Sequence, residues 1–138
     1  MGTFAVLALN LAVLTAPATL EPQGAMVTLR PVESEIISRT NAERSRHGQA
    51  PLLADMKLLA SARQHAIWMT RNRRMQHTSA PVAENIAMGQ NSTAQVVRDW
   101  MNSPGHRANI LNPQYRRIGV AAYRGTDGTI YWCQQFLR

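Results

Sequence analysis

The chain predicts an α+β domain. Apolar residues recur at helical spacing in several separate runs through the first two thirds, whereas the end of the chain switches to strand alternation on either side of a Gly-Thr-Asp-Gly turn at 125–128. With 138 residues and 45% apolar content, the chain is long enough to bury one core. No internal repeat, low-complexity tract or long run of like charge divides it further.

Thr3 to Ala16 carries no charge and has the length of the apolar region of an export signal, too short to span a bilayer comfortably. Ala16 and Ala18 put small residues at the −3 and −1 positions of a cleavage point after Ala18. Residues 1–18 therefore read as a signal peptide, 19–31 as a linker and 32–138 as the folded domain, with a secreted or periplasmic destination. No Lys or Arg precedes the apolar run, so a buried N-terminal helix or a retained anchor stays open as the other reading.

A first helix is expected over about 32–46, stopping at Gly48, with Ile36, Ile37, Thr40, Asn41 and Arg44 on one face. Asn41 and Arg44 stand where an ordinary helix has Leu, so both should be at least half-buried and hydrogen-bonded. A second helix follows Pro51, with Leu58, Ala62, Ala66 and Met69 on its inner face, widened by Leu59 and Trp68. His65 falls on the flank and outside the site. Ala83 to Ala87, between Pro81 and Gly89, reads as a strand or extended loop carrying Glu84 and Asn85 inward. Ser92 in Asn91-Ser92-Thr93 caps a helix over 93–102 that buries Val96, Val97 and Trp100. Ser103-Pro104 starts a short helix to Leu111, its hydroxyl at the cap, with His106, Asn109 and Ile110 facing inward. Residues 117–123 and 129–136 form a β-hairpin. In its second strand Ile130, Trp132, Gln134 and Phe136 share one face, so Gln134 needs a buried partner such as Asn41 or Asn85.

Cys133 is the only cysteine, so no intramolecular disulfide is available and stability rests on packing. It reads as a small strand residue, with an intermolecular disulfide or a nucleophile as the other reading. The net charge is +7, and all but one of the fifteen basic residues are Arg. Clusters at Arg71, Arg73, Arg74 and at Arg116, Arg117 have no interleaved aromatics, which points away from nucleic acid. A solvated basic face that keeps the protein soluble is the first reading of these clusters, with anionic envelope polymers or lipid headgroups as partners the second. A monomer is expected.

His77, Glu84 and His106 are the candidate chemistry. Two imidazoles and a carboxylate suit a divalent transition metal, and equally suit proton transfer near neutral pH. The spacing His-x6-Glu-x21-His is unlike HExxH, whose two His lie one helical turn apart, so here the groups must come from separate elements. Read without a ligand, Glu84 accepts bonds from loop amides, Asn85 and Asn109 pin turns, and His106 buttresses a wall.

The ordered set Asn41-x-x-Arg44, Leu58-x3-Ala62, His77, Ala83-Glu84-Asn85-Ile86-Ala87, Trp100-Met101-Asn102-Ser103-Pro104-Gly105-His106-Arg107-x-Asn109-Ile110-Leu111, Ile118-Gly119-Val120 and Trp132-x-Gln134-x-Phe136 resembles the CAP (SCP-like) domain family of cysteine-rich secretory, venom-antigen and plant pathogenesis-related proteins. The match covers about residues 33 to 137 and is nearest to the short bacterial exported members. It implies an α-β-α sandwich with a central antiparallel sheet under an open cleft. In the family two His and two acids line that cleft, which is associated with Zn2+ or other divalent cations. Carried over, the His are His77 and His106 and the first acid is Glu84, while the second falls on Ser103. Asp99 is expected to point elsewhere and to be a poor substitute. With one carboxylate at most, a cation- and ligand-binding module is the leading expectation. A metal-dependent hydrolase of peptide or cell-wall material with Glu84 as general base is the alternative, and lipid or sterol binding a third. Asn41, Arg44, Asn85, Asn109 and Gln134 are the supporting residues, and Arg107 is structural.

Overall fold

A computed structural model describes residues 28–138, so the expected export signal and most of the linker lie outside the described residues. The elements in order are α1 (Pro31–Arg46), β1 (Leu53–Ala54), α2 (Met56–Asn72), β2 (Ala83–Met88), α3 (Thr93–Met101), α4 (Pro104–Ile110), β3 (Arg117–Arg124) and β4 (Ile130–Leu137). Local chemistry sets the helix starts. Asp55 accepts from Leu58 N at 3.0 Å ahead of α2, and Ser92 accepts from Gln95 N at 3.1 Å ahead of α3. Ser103 holds the cap position of α4, but its hydroxyl makes no cap bond, contrary to expectation; Pro104 at the first position needs no donor satisfied there.

The strands run in the order β1-β3-β4-β2. The β3–β4 hairpin and the β4–β2 pair are antiparallel, whereas β1 adds to β3 in parallel and makes the sheet mixed at one edge. Two residues are too few to show periodicity, which is why this edge was not foreseen. It is fixed by side-chain and main-chain bonds: Asn41 brackets Leu52 through both its N–H and its carbonyl at 2.8 and 3.0 Å, and Leu53 N donates to Arg116 O at 2.9 Å.

Helices cover both faces, giving the three-layer α-β-α sandwich. On one face Ile36 and Ile37 of α1, Val96 and Trp100 of α3 and Ile110 of α4 pack against Val120, Trp132 and Phe136. On the other, Ala62, Ala66 and Met69 of α2 pack against Ile86, Ala121, Tyr131 and Cys133. Strand β4 is therefore buried on both sides from Ile130 to Phe136, where the alternation alone pointed to one inward face. Gly119 explains how closely α2 approaches: a Cβ there would run into the backbone of Leu58. Trp68 departs from its expected place. It is 38% exposed and does not widen the buried face of α2.

Two buried charges lock α1 in place. The Arg44 guanidinium, fully buried, donates to Ala50 O at 2.8 Å, Ile110 O at 2.7 Å, Asn112 O at 2.9 Å and Tyr115 O at 3.5 Å. Glu33, also fully buried, takes Arg63 in a two-pronged pair at 2.7 and 2.6 Å and accepts from Arg30 N at 2.9 Å.

Candidate functional site

Strand β2 delivers adjacent polar residues to opposite layers, because successive side chains on a strand point to opposite faces. Glu84 stands opposite Gln135 and Asn85 opposite Gln134 across the β2–β4 pair. Both glutamines are fully buried. Each therefore needs partners from the strand beside it and from the helical layer it faces.

On the α2 side, Glu84 is 7% exposed and accepts four bonds. Its Oε1 takes His77 Nδ1 at 2.8 Å and Thr78 N at 2.9 Å; its Oε2 takes Gln135 Nε2 at 2.9 Å and the Cys133 thiol at 3.5 Å. A carboxylate has about four acceptor positions, so Glu84 is full. Accepting from Nδ1 fixes the His77 tautomer with a free lone pair on Nε2, and that side chain is 62% exposed. His65 Nε2 lies 3.9 Å from Glu84 Oε2 and 2.7 Å from Gln76 O.

His65, Gln135 and Cys133 thus belong to the Glu84 surroundings and were not placed there from sequence. A signal existed for His65, which is three residues after Ala62 and four before Met69 on the buried stripe. Burial, helped by the Glu84 charge, pushes the Cys133 thiol well up from its ordinary value, so it stays protonated, and the nucleophile reading is set aside.

On the other side, Gln134 Nε2 donates to Thr40 Oγ1 at 2.7 Å and its Oε1 accepts from Asn85 Nδ2 at 3.0 Å. Asn85 was an expected partner; Thr40 takes the place expected of Asn41. Asn85 also donates to His106 O at 3.1 Å and accepts from Asn109 Nδ2 at 2.9 Å, and Asn109 reaches Glu84 O at 3.3 Å. This chain joins α1, β4, β2 and α4, and so sets where α4 presents His106. Arg107, one residue on, donates to His47 Nε2 at 3.1 Å and ties α4 to the end of α1, as a structural residue would.

His106 is half-buried in a hollow of about 250 Å3 whose lining includes Met75, Gln90, Asp99, Ser103 and His106. Asp99 therefore faces the same hollow as His106 and Ser103, which corrects the expectation that it points elsewhere. Gln90 Nε2 donates to Asp99 Oδ2 at 3.2 Å, while the buried Gln90 Oε1 has no partner among the described residues. Burial, and then the charge of His77, lower the His106 pKa, so its imidazole is neutral at neutral pH.

His77 lines a separate hollow of about 370 Å3 with His65, Trp68, Gln76, Thr78 and Ser79. The two histidines are thus linked through β2, His77 by way of Glu84 and the His106 backbone by way of Asn85. Among the described residues no group of three or more His, Cys, Asp or Glu is arranged to hold a metal ion. Glu84 in particular acts on His77 and has no free oxygen for a ligand bond. His77 and His106 line different hollows, so what suits a borderline metal here is the imidazole chemistry of each and not a preformed ligand cage. Of the basic clusters, Arg116 is spent on Pro113 O and Tyr115 O, and Arg117 on Asp55 and Arg138 O; Arg71, Arg73 and Arg74 are exposed.

Residues 37–136 match the model of the cysteine-rich secretory protein (CAP) family. The chain is 36% identical over 143 aligned positions to the uncharacterized protein YkwD of Bacillus subtilis, covering 88% of this chain and 54% of YkwD. An extracellular protein containing an SCP domain from Bacillus anthracis superposes with a TM-score of 0.70 at 27% identity, over 81% of this chain and 45% of that one. The chain thus spans about half the length of each. NaASP2, whose crystal structure was determined with Zn2+, shares the fold at 12% identity with a TM-score of 0.65, over 76% of this chain and 78% of that one.

Proposed function

We propose, from the premise that this chain belongs to the cysteine-rich secretory protein (CAP) family, that it is an exported binding module whose cleft takes a divalent cation, Zn2+ or a similar ion, together with an extracytoplasmic ligand. The observation that carries this reading is the 2.8 Å bond from His77 Nδ1 to Glu84, which holds one imidazole by its inner nitrogen and leaves the outer one free. His106 supplies the second, neutral imidazole, and Asp99 lines the same hollow as Ser103, where the family's second acid is missing. The Zn2+ of NaASP2 and the extracellular setting of the Bacillus anthracis protein support the same reading.

His77 and His106 would hold the ion, which would supply Lewis acidity to whatever it touches. The protein's own part is to orient His77 through Glu84, to hold the His106 backbone through Asn85, and to keep His106 neutral by burial. The hydrolase reading needs Glu84 as general base, and a carboxylate already accepting four bonds has no lone pair to take a proton. Binding is accordingly preferred over turnover.

Isothermal titration with Zn2+ tests this. The wild-type protein should bind one ion, more weakly below about pH 6 where imidazole protonation competes. His106→Ala should abolish binding with the fold intact, and Asp99→Asn should weaken it. Equal binding by wild type and His106→Ala, or no binding by either, overturns the reading.

A further inference from the structure

We propose that the surface around Trp68 is a binding site for an uncharged oligosaccharide. Of the chain's three tryptophans, Trp100 and Trp132 are buried at 1% and 2% exposure, while Trp68 keeps 38% of its surface in water. Hydrophobicity alone would bury it, since exposed apolar surface forgoes about 25 cal/mol per Å2. The ring is also held in position. It lies parallel to the His65 imidazole, with centroids 5.9 Å apart and planes 5° from coplanar. His65 is anchored in turn by Gln76 O at 2.7 Å. Backed in this way, the indole is a fixed apolar plate, with little conformational entropy left to lose when a ligand settles on it.

Three hollows adjoin the ring. Two, of about 370 and 390 Å3, both include His65, Thr78 and Ser79. The first adds Gln76 and His77, and the second Ser61 and Gln64. These two give the plate a polar rim and contain no Arg, Lys, Asp or Glu, on a protein with fifteen basic residues. The third, of about 330 Å3, is lined by Gln64, Ile67, Arg71 and Asn72 and brings one guanidinium near the ring. Hydroxyls and carboxamides both donate and accept, as do sugar hydroxyls. A pyranose has a C–H face that matches the plate and a hydroxyl edge that matches the rim. Other ligand chemistries use only part of this surface. A phosphate would find no guanidinium in the two hollows beside His65 and only Arg71 in the third, short of the cluster such an anion wants, and a hydrocarbon chain would strip water from the rim without replacing its hydrogen bonds. An aromatic peptide side chain would use the plate and leave the rim idle. The two hollows beside His65 are open to solvent, which suits a chain lying across the surface. Because His77 closes one end, a chain on Trp68 would run toward the cleft, but the site needs neither the cation nor His106.

The test is titration of the protein with chitotetraose and with cellotetraose, read by tryptophan emission and by calorimetry. All three indoles emit, but only Trp68 has a solvent-exposed ring whose surroundings a surface ligand can change, so the shift is assigned by its loss in Trp68→Ala. At least one tetraose should give a saturable blue shift with matching heat. Trp68→Ala should weaken that binding at least about tenfold, a difference of about 1.4 kcal/mol, and Trp68→Tyr should restore part of it. Gln64→Leu should weaken it several-fold. Zn2+ binding by Trp68→Ala and sugar binding by His106→Ala should both match wild type, so the two sites fail or stand separately. No saturable response to either tetraose, or equal affinity in a Trp68→Ala protein of unchanged circular dichroism, overturns the proposal.

Discussion

Glu33 and Glu84 are both buried carboxylates, one at 0% and the other at 7% exposure, and they are treated in opposite ways. Glu33 sits against a permanent cation. Burial works against its ionisation, but the Arg63 and Arg30 hydrogen bonds and charges outweigh this and hold its carboxyl below the ordinary range. Glu84 has no such partner. Its donors are a backbone amide, a carboxamide, a thiol and His77, with His65 close by, and only the histidines can carry charge. A fixed cation turns a buried acid into a lock. Neutral and titratable donors leave its charge directed at an imidazole that reaches solvent.

The comparison can be broken first at the lock. Arg63→Ala would leave Glu33 buried without its cation and should cost about 3 kcal/mol of stability in urea denaturation, with Zn2+ binding by the folded fraction unchanged. Replacing both partners by Met should recover most of that loss, since two apolar groups leave no orphaned charge. A loss of metal binding in these variants would mean that the two acids are not functionally separate.

At the other acid the order of effects should reverse. Glu84→Gln keeps the shape, so stability should fall by only about 1–2 kcal/mol. Zn2+ affinity should drop about 10–100-fold, because the amide takes away the negative charge behind His77 and turns an NH2 toward groups that donate to the carboxylate. Unchanged affinity would remove Glu84 from the positioning role.

The smallest effects are in pH. Because the folded pKa of Glu33 lies below its unfolded value, its contribution is fully present above about pH 4.3 and is lost as pH falls through the folded pKa. The stability gap between wild type and Arg63→Ala should therefore close in acid. His106 also has its folded pKa lowered, so the unfolded chain binds more protons below about pH 6.5. Its contribution is present above that value and fades as pH falls toward the folded pKa. His106→Ala should flatten the stability profile below about pH 6.5, measured by urea midpoints.

How much could be read from sequence depended on whether the deciding contact was local. Gln134 between Trp132 and Phe136 announced a buried amide, and the structure supplies Asn85 as one of its partners. Ile36, Thr40 and Arg44 showed the buried side of α1 by spacing alone. What alternation could not show was the second cover on β4, because burial by α2 is decided by the tertiary arrangement. The same gap hid Gln135, whose need for a partner appears only once both faces of β4 are closed. That Asp99 and Ser103 line one hollow had no spacing signal, because α3 ends at Met101 and Ser103 belongs to the turn into α4. The exposure of Trp68 had no sequence signal, since an indole beside Met69 on an amphipathic helix is ordinarily core.

The Arg44 guanidinium also bears on the lifetime of the fold. Its acceptors lie 6, 66, 68 and 71 residues away along the chain, so three of the four carbonyls arrive only after α1 has met α4 and the segment leading into β3. Closing loops of that length costs chain entropy before the contacts reward it. A side chain engaged on the native side of the barrier slows escape without hastening arrival. We expect Arg44 to engage there, so that Arg44→Met speeds unfolding more than it slows folding in a urea chevron; such a latch would lengthen the life of a folded domain with a single cysteine and no disulfide of its own.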